Sequence, residues 1–173
     1  MAYILVDTRE KDNDYVLRDF KKLEYNYKEQ KLDEGDYQSS FNPNCVIDLK
    51  NGILEVHANI AGKKNERERF MREIERCKQK GKKLIVLVRE EVIYSVYGVQ
   101  FWRSPTHEYF DKRNCKWVDK PYTKVSGKFI MKVMERYARD YGVEWRFCKR
   151  KDTATEIVKL LNYNGGKIGK NGY

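Results

Sequence analysis

Five consecutive apolar residues, Leu84-Ile85-Val86-Leu87-Val88, lack the in-and-out alternation of a strand with one wet face. Strand side chains point to opposite sides in turn, so this run predicts a strand covered on both faces. Tyr3 to Val6, ending on Asp7, reads as a second buried strand. Such strands need helices on either side, and apolar stripes supply them. Glu66 to Lys80 carries Phe70, Ile74 and Cys77 on one face and ends at Gly81; Asp14 to Leu23 carries Leu17, Phe20 and Leu23. Ile130, Val133, Met134, Tyr137 and Tyr141 define a further helix, closed by Gly142. Tyr25 to Gln30 and Val143 to Cys148 are strand candidates, and Gly35-Asp36-Tyr37 opens another extended segment ahead of the Asn42-Pro43-Asn44 turn. Thr153 to Glu156 has the spacing of a capping box before a last short helix with Ile157, Val158, Leu160 and Leu161. The expected fold is α/β: a mixed sheet flanked by helices, with hairpin strands before a crossover helix and a C-terminal helix-strand-helix extension.

Composition narrows the function. The 173 residues hold 36 Lys plus Arg against 26 Asp plus Glu, a net charge of +10, which points to an anionic partner. A hydrophobic fraction of 40% excludes a disordered basic tail. No apolar run reaches the roughly 18 residues that span a bilayer, and Met1 to Asp7 is too short and too soon charged for a signal peptide. Cys45, Cys77, Cys115 and Cys148 lie far apart with no paired spacing, so free thiols in a reducing, cytoplasmic setting are expected. With only His57 and His107, both left without a role, a metal site would be built from carboxylates and would suit magnesium or manganese (Mg2+ or Mn2+).

Asp36, Asp48 and Lys50 form the most informative constellation. Cys45 to Lys50 alternates, which puts Val46, Asp48 and Lys50 on one face and Cys45, Ile47 and Leu49 on the other. Asp36 would reach the same edge from the preceding hairpin strand. Two carboxylates at about 4 Å repel by roughly 4 kcal/mol at an effective dielectric near 20, and a divalent cation between them resolves the conflict. Lys50 could then orient an attacking water and neutralise charge on a phosphate. Spacing alone equally allows a solvated strand face with an ordinary Asp and Lys pair.

Val6-Asp7-Thr8-Arg9-Glu10, Gly35-Asp36-Tyr37 and Val46-Ile47-Asp48-Leu49-Lys50, in that order, resemble the motif set of XPF-type structure-specific nuclease domains, a branch of the PD-(D/E)XK superfamily. The resemblance continues through Arg69-Phe70 and Glu73 to the Leu84 strand. More weakly, Tyr141 to Cys148 and the closing helix resemble small stand-alone versions from phage and bacteria. It implies a restriction-endonuclease-like fold, cleavage of branched DNA such as a Holliday junction, flap or fork, and dimerisation. It also implies metal-binding acids at Asp36 and Asp48, a metal-binding carbonyl at Leu49, and a catalytic lysine at Lys50. Asp7 would position metal or water and Arg9 would contact phosphate, although a strand-end turn with a local salt bridge accounts for the pair as well. The family's central Glu-Arg-Lys is Asp48-Leu49-Lys50 here, without the arginine. The further acid expected four positions after the lysine falls on Leu54, and Glu55 replaces it only with a one-residue shift; otherwise Glu55 lies on a helix surface.

The expected organisation is a nuclease core over 1–90, an irregular, partly stranded aromatic and basic insertion over 91–124, a C-terminal part of the same domain over 125–163, and a flexible tail over 164–173. The glycines from Gly165 to Lys170 match a phosphate-binding loop poorly. The basic residues around 63–83 are mostly offset by Glu66, Glu68, Glu73 and Glu75, although Arg69 is a candidate DNA contact. Lys112, Arg113 and Lys116, beside Trp117 and Tyr122, have fewer acidic neighbours. They predict either a DNA-holding loop or aromatics packing a small subdomain. The functional expectation is a metal-dependent DNA endonuclease. Its rivals are a DNA-binding scaffold descended from one and a sequence-specific nicking or restriction enzyme that reads through 91–122.

Overall fold

A computed structural model describes residues 3–10 and 13–161. In chain order the elements are β1 (Ile4–Asp7), α1 (Asp14–Lys22), β2 (Tyr27–Gln30), β3 (Tyr37–Ser39), β4 (Cys45–Lys50), α2 (Ile53–Ala61), α3 (Lys64–Gln79) and β5 (Lys83–Arg89). After a 3-10 turn at Tyr97–Phe101 come β6 (Thr106–Asp111), β7 (Lys116–Pro121), α4 (Gly127–Tyr141), β8 (Glu144–Cys148) and α5 (Thr153–Leu160). Six strands form one mixed sheet in the order β2-β1-β3-β4-β5-β8, while β6 and β7 form a separate two-stranded sheet.

The apolar run is fully buried because β5 lies between β4 and β8, parallel to both. Leu84, Val86 and Val88 pack with α2, α3 and α4 on one face, while Ile85 and Leu87 pack with α5 on the other, where α1 also lies. The last helix-strand-helix completes this sheet: β8 pairs from Ile85↔Glu144 to Arg89↔Cys148, and α5 packs beside α1. The antiparallel hairpin β3–β4 precedes a two-helix crossover, α2 and α3, into β5. The restriction-endonuclease-like α/β reading therefore holds. Cys45, Cys77 and Cys148 are buried free thiols and Cys115 is an exposed one. No helix among the described residues is long and apolar enough to cross a membrane.

Several local expectations are corrected. Helix α1 buries Val16 and Phe20, and Leu23 is exposed, because the helix stops at Lys22 and the chain turns through Glu24 at φ 61°. The strand after it begins at Tyr27. Thr153 is the first residue of α5 and makes no capping box: its hydroxyl donates to the Arg150 carbonyl at 2.8 Å, since a 3-10 turn runs straight into the helix. Helix α2 bears on the sequence reading only through the helix-surface alternative for Glu55, because Ile-Leu-Glu-Val-His-Ala-Asn-Ile-Ala is apolar enough to hide its period. The stretch expected to be irregular and partly stranded has its strands as one regular hairpin, Thr106–Asp111 against Lys116–Pro121. The flexible-tail reading of 164–173 lies outside the described residues.

Candidate active site

The site begins with a glycine. Gly35 has φ 62°, and a side chain there would overlap Val46 Cγ1 and lie 2.7 Å from the Ile47 carbonyl oxygen, so both conformation and space require glycine. The tight approach delivers Asp36 to the junction of three strands: its N–H donates to the Ile47 carbonyl, and its own carbonyl accepts the Asp7 N–H, each at 2.8 Å. Its carboxylate Oδ2 accepts the Leu49 N–H at 2.8 Å. Asp36 is thus fixed from β1, β3 and β4 together.

Asp48 and Lys50 share the opposite face of β4 from Leu49, as the alternation predicts. Both are buried, and Lys50 Nζ lies 2.9 Å from Asp48 Oδ1 and 2.8 Å from Oδ2. Glu55 Oε1 is 3.8 Å from the same ammonium, and its Oε2 accepts the Asn51 N–H at 2.7 Å. Glu55 therefore holds the β4–α2 turn and borders the cleft. Asp7 is gripped by Arg9: Nη2 donates to Oδ2 at 2.6 Å, Nε to Oδ1 and Oδ2 at 3.1 and 3.0 Å, and the Arg9 N–H to Oδ1 at 3.1 Å. Arg9 Nη2 also donates to the Leu32 carbonyl. This is the strand-end salt bridge that was one of the two readings for the pair. The Arg9 side chain remains 58% exposed, so its outer edge faces solvent.

These groups line one open cleft of about 400 Å³, joined by Arg69, Glu73 and Arg76 of α3 and Asn59 of α2. Glu73 accepts the Gly35 N–H at 2.8 Å, tying α3 to the turn that places Asp36. Leu49 borders the cleft while its side chain packs in the opposite core, so it presents backbone to the site. Lys112, Arg113 and Lys116 are elsewhere, on the hairpin, and do not line the cleft.

Electrostatics favour an incoming cation. Burial raises the Asp36 pKa well above the carboxylate range, the Asp48 charge raises it further, and Lys50 only partly offsets them. Burial and Asp48 likewise raise Glu73. Burial alone would lower Lys50, but Asp48 outweighs it and keeps the ammonium protonated. Burial also pushes Asp7 up, yet the hydrogen bonds and charge of Arg9 prevail and hold it below its usual value. Asp36, Asp48 and Glu73 thus surround a single buried cation, Lys50.

The donor chemistry of Asp36, Asp48 and the Leu49 carbonyl, all oxygen, fits a hard divalent ion. Among the described residues no three His, Cys, Asp or Glu side chains converge as a ready-made metal cage.

Sequence reasoning gave Asn59 no role, counted Arg76 only among the basic residues of the helix, and took Glu73 as a charge offset with no place in the site. A signal existed for Glu73: it stands three residues after Phe70 and four before Cys77, an acid on an otherwise apolar helix face.

No family model matches the chain, and no curated protein matches it. Among solved structures the fold is similar to XPF from Aeropyrum pernix, with a TM-score of 0.55 and 14% identity over 94% of this chain. The match spans 66% of that protein's chain. At this identity the likeness is one of fold, and it joins the sheet and helices described above to an XPF-like architecture.

Proposed function

We propose that this protein is a divalent-metal-dependent endodeoxyribonuclease that hydrolyses phosphodiester bonds in branched DNA. The observation that carries the reading is the locked Gly35-Asp36 turn, which sets one carboxylate beside Asp48 and Lys50 in an open cleft bordered by Arg9, Arg69 and Arg76. The XPF-like fold supports it, since that neighbour's architecture covers nearly the whole chain.

Asp36, Asp48 and the Leu49 carbonyl would hold Mg2+ or Mn2+, which when bound supplies Lewis-acid stabilisation of charge on the scissile phosphate and a lowered pKa for water. Lys50 enters protonated, so it acts as a hydrogen-bond donor that orients the attacking water and balances charge on phosphorus. Asp7 holds the Arg9 guanidinium in place at the strand end, and the exposed edge of that group suits a phosphate oxygen. Attack in line with the P–O3′ bond then releases the 3′-oxygen. Arg69 and Arg76 add positive charge on the α3 side of the cleft. Branched DNA as substrate rests on the motif resemblance stated at the outset.

The test is cleavage of labelled Holliday junction, flap, fork and linear duplex with magnesium, manganese or EDTA. Metal-dependent cutting of the branched forms is expected. Salt-sensitive binding of all four without cutting would mean that the pairs Asp7–Arg9 and Asp48–Lys50 serve a DNA-binding scaffold. Equal cutting of the duplex at one sequence would favour the nicking or restriction enzyme.

A further inference from the structure

We propose that the β6–β7 hairpin is the element that recognises unpaired DNA at a branch point, stacking an exposed base on Trp117 and Phe110 and gripping the adjoining phosphates with its basic turn. This rests on the DNA-processing function proposed above and adds where the branch is read.

The hairpin is built unlike the rest of the molecule. Among the described residues no third strand pairs with it, and few of its side chains are more than half-buried. A two-stranded sheet without a covering layer is marginal in water, yet this one spends its largest side chains on its surface. Trp117 is 66% exposed and Phe110 39% exposed, and they stand directly across the strands as a T-shaped pair with centroids 5.4 Å apart. An exposed rigid aromatic pair is a stacking platform that accepts any base.

Charge divides the hairpin along its length. One step toward the base of the hairpin, Glu108 lies directly across from Asp119, a like-charge pair that costs stability and repels phosphate. Beyond the aromatics, the turn carries Lys112 and Arg113, followed by Lys116. Asp111 offsets only one of these three charges, and its carboxylate folds the turn: Oδ1 accepts the Arg113 N–H at 2.9 Å and Oδ2 the Asn114 side chain at 2.6 Å. Lys112, Arg113 and Lys116 form no ion pair with any described acid, among the salt bridges at 4 Å or less. An anionic strand is therefore admitted at the tip and rejected along the stem, with the aromatic pair between. Duplex DNA offers such a site only phosphates, whereas an unpaired or end-stacked base offers the ring face as well.

The base of the hairpin is anchored. The Tyr122 N–H donates to the Pro105 carbonyl at 3.0 Å, the Thr123 N–H to Ser104 Oγ at 3.0 Å, and Thr123 Oγ1 lies 3.4 Å from His57 Nε2. His57 is on α2, whose first turn holds Glu55 at the cleft, so the reading element and the catalytic strand share a helix.

The test is equilibrium binding in EDTA, with no cutting, of a fork carrying 2-aminopurine at its first unpaired position and of a matched linear duplex. For the wild type, stacking should quench the 2-aminopurine. Trp117→Ala should abolish the quench and weaken fork binding about tenfold while changing duplex binding less than about twofold. Lys112→Glu with Arg113→Glu should weaken fork binding and flatten its salt dependence. Equal loss on fork and duplex in Trp117→Ala, or no loss on either, would overturn the proposal. So would a change confined to the oligomeric state by sedimentation, which would make the aromatic pair a contact between copies. A wild type that binds and quenches yet cuts nothing under magnesium or manganese would refute only the catalytic reading. One that cuts branched DNA with no quench would refute only this one.

Discussion

The cleft and the hairpin lie on opposite sides of a physical divide. In the cleft, Asp7, Asp48 and Lys50 are buried, and four acids are held by backbone N–H groups: Asp36 by Leu49, Asp7 by Arg9, Glu73 by Gly35 and Glu55 by Asn51. In the hairpin, apolar groups are exposed and the strands hold only each other and the chain at their base. Chemistry at a phosphate gains from donors and acceptors that need not reorganise, so it is placed where packing fixes them. Recognition of a base without sequence preference needs only a ring and charge, so it tolerates a surface with little support.

The sharpest way to break this comparison is Asp48→Ala. Loss of an acid that faces both Lys50 and Asp36 should lower the cleavage rate by at least about a thousandfold, as removal of a group acting in one unit commonly does. Binding to the same DNA in EDTA should change less than about threefold, since the basic residues that supply attraction remain. Gel-based cleavage and fluorescence anisotropy measure the two, and a variant that still cuts would place the chemistry elsewhere.

Next in size is Gly35→Ala. A methyl group must occupy a left-handed backbone position and meet both Val46 and the Ile47 carbonyl. A cost of at least about 2 kcal/mol follows, with a melting point lower by roughly 5 °C or more. The same substitution at Gly81, also at positive φ but facing open space, should cost about half as much or less. Equal effects would show that close approach is not what positions Asp36.

Two acids flanking that glycine should respond to pH in opposite directions. Burial raises Glu34, but Lys80 at 2.5 Å and Lys82 at 2.9 Å prevail and depress its pKa, so it contributes stability above its unfolded pKa of about 4.3 that is lost as pH falls through the folded value. Glu34→Gln should therefore destabilise at pH 7 by about 1–2 kcal/mol, and the deficit should shrink in acid. Asp36 has a raised pKa, so it contributes stability below its unfolded pKa of about 3.9 that is lost as pH rises through the folded value. Asp36→Asn, which can still accept the Leu49 N–H, should be more stable than wild type at pH 7 by on the order of 1 kcal/mol, with the gain vanishing below about pH 4. Thermal melts in EDTA across this range read both; magnesium should raise the wild-type midpoint and leave Asp36→Asn behind. An Asp36→Asn protein destabilised at pH 7 would contradict the electrostatic account of the cleft.

The same divide governs what could be read from sequence. The sheet was legible because burial imposes a period: β5 is apolar throughout because both its faces are covered, and β4 alternates because Asp48 and Lys50 face a cleft while Ile47 and Leu49 face a core. Asp36, Asp48 and Lys50 stand out through strand spacing and the motif resemblance, and the fold brings them to one cleft. What failed had no period to show. Helix α2 is apolar around most of its circumference, and the hairpin has no core side, so its aromatics fall on both faces. Glu73 was hidden for another reason, since its role comes from a contact with Gly35, 38 residues away, that local pattern does not encode.

The smallest expected effect tests whether the hairpin is structurally as independent as it looks. Trp117 and Phe110 bury little against the main sheet, and neither belongs to its two core clusters. Their edge-to-face contact, worth about 0.5–1.5 kcal/mol, should therefore stabilise only the hairpin itself. Trp117→Ala should shift the global melting point by less than about 1 °C, because surface substitutions outside the cooperative core fall within about 0.5 kcal/mol. Backbone amides of β6 and β7 should nevertheless exchange several-fold faster than in wild type, while those of β4 and β5 keep their protection. A melting-point loss comparable to that of Gly35→Ala would mean that hairpin and cleft unfold as one unit. The exposed aromatics would then be held in place by the core rather than left available for a base.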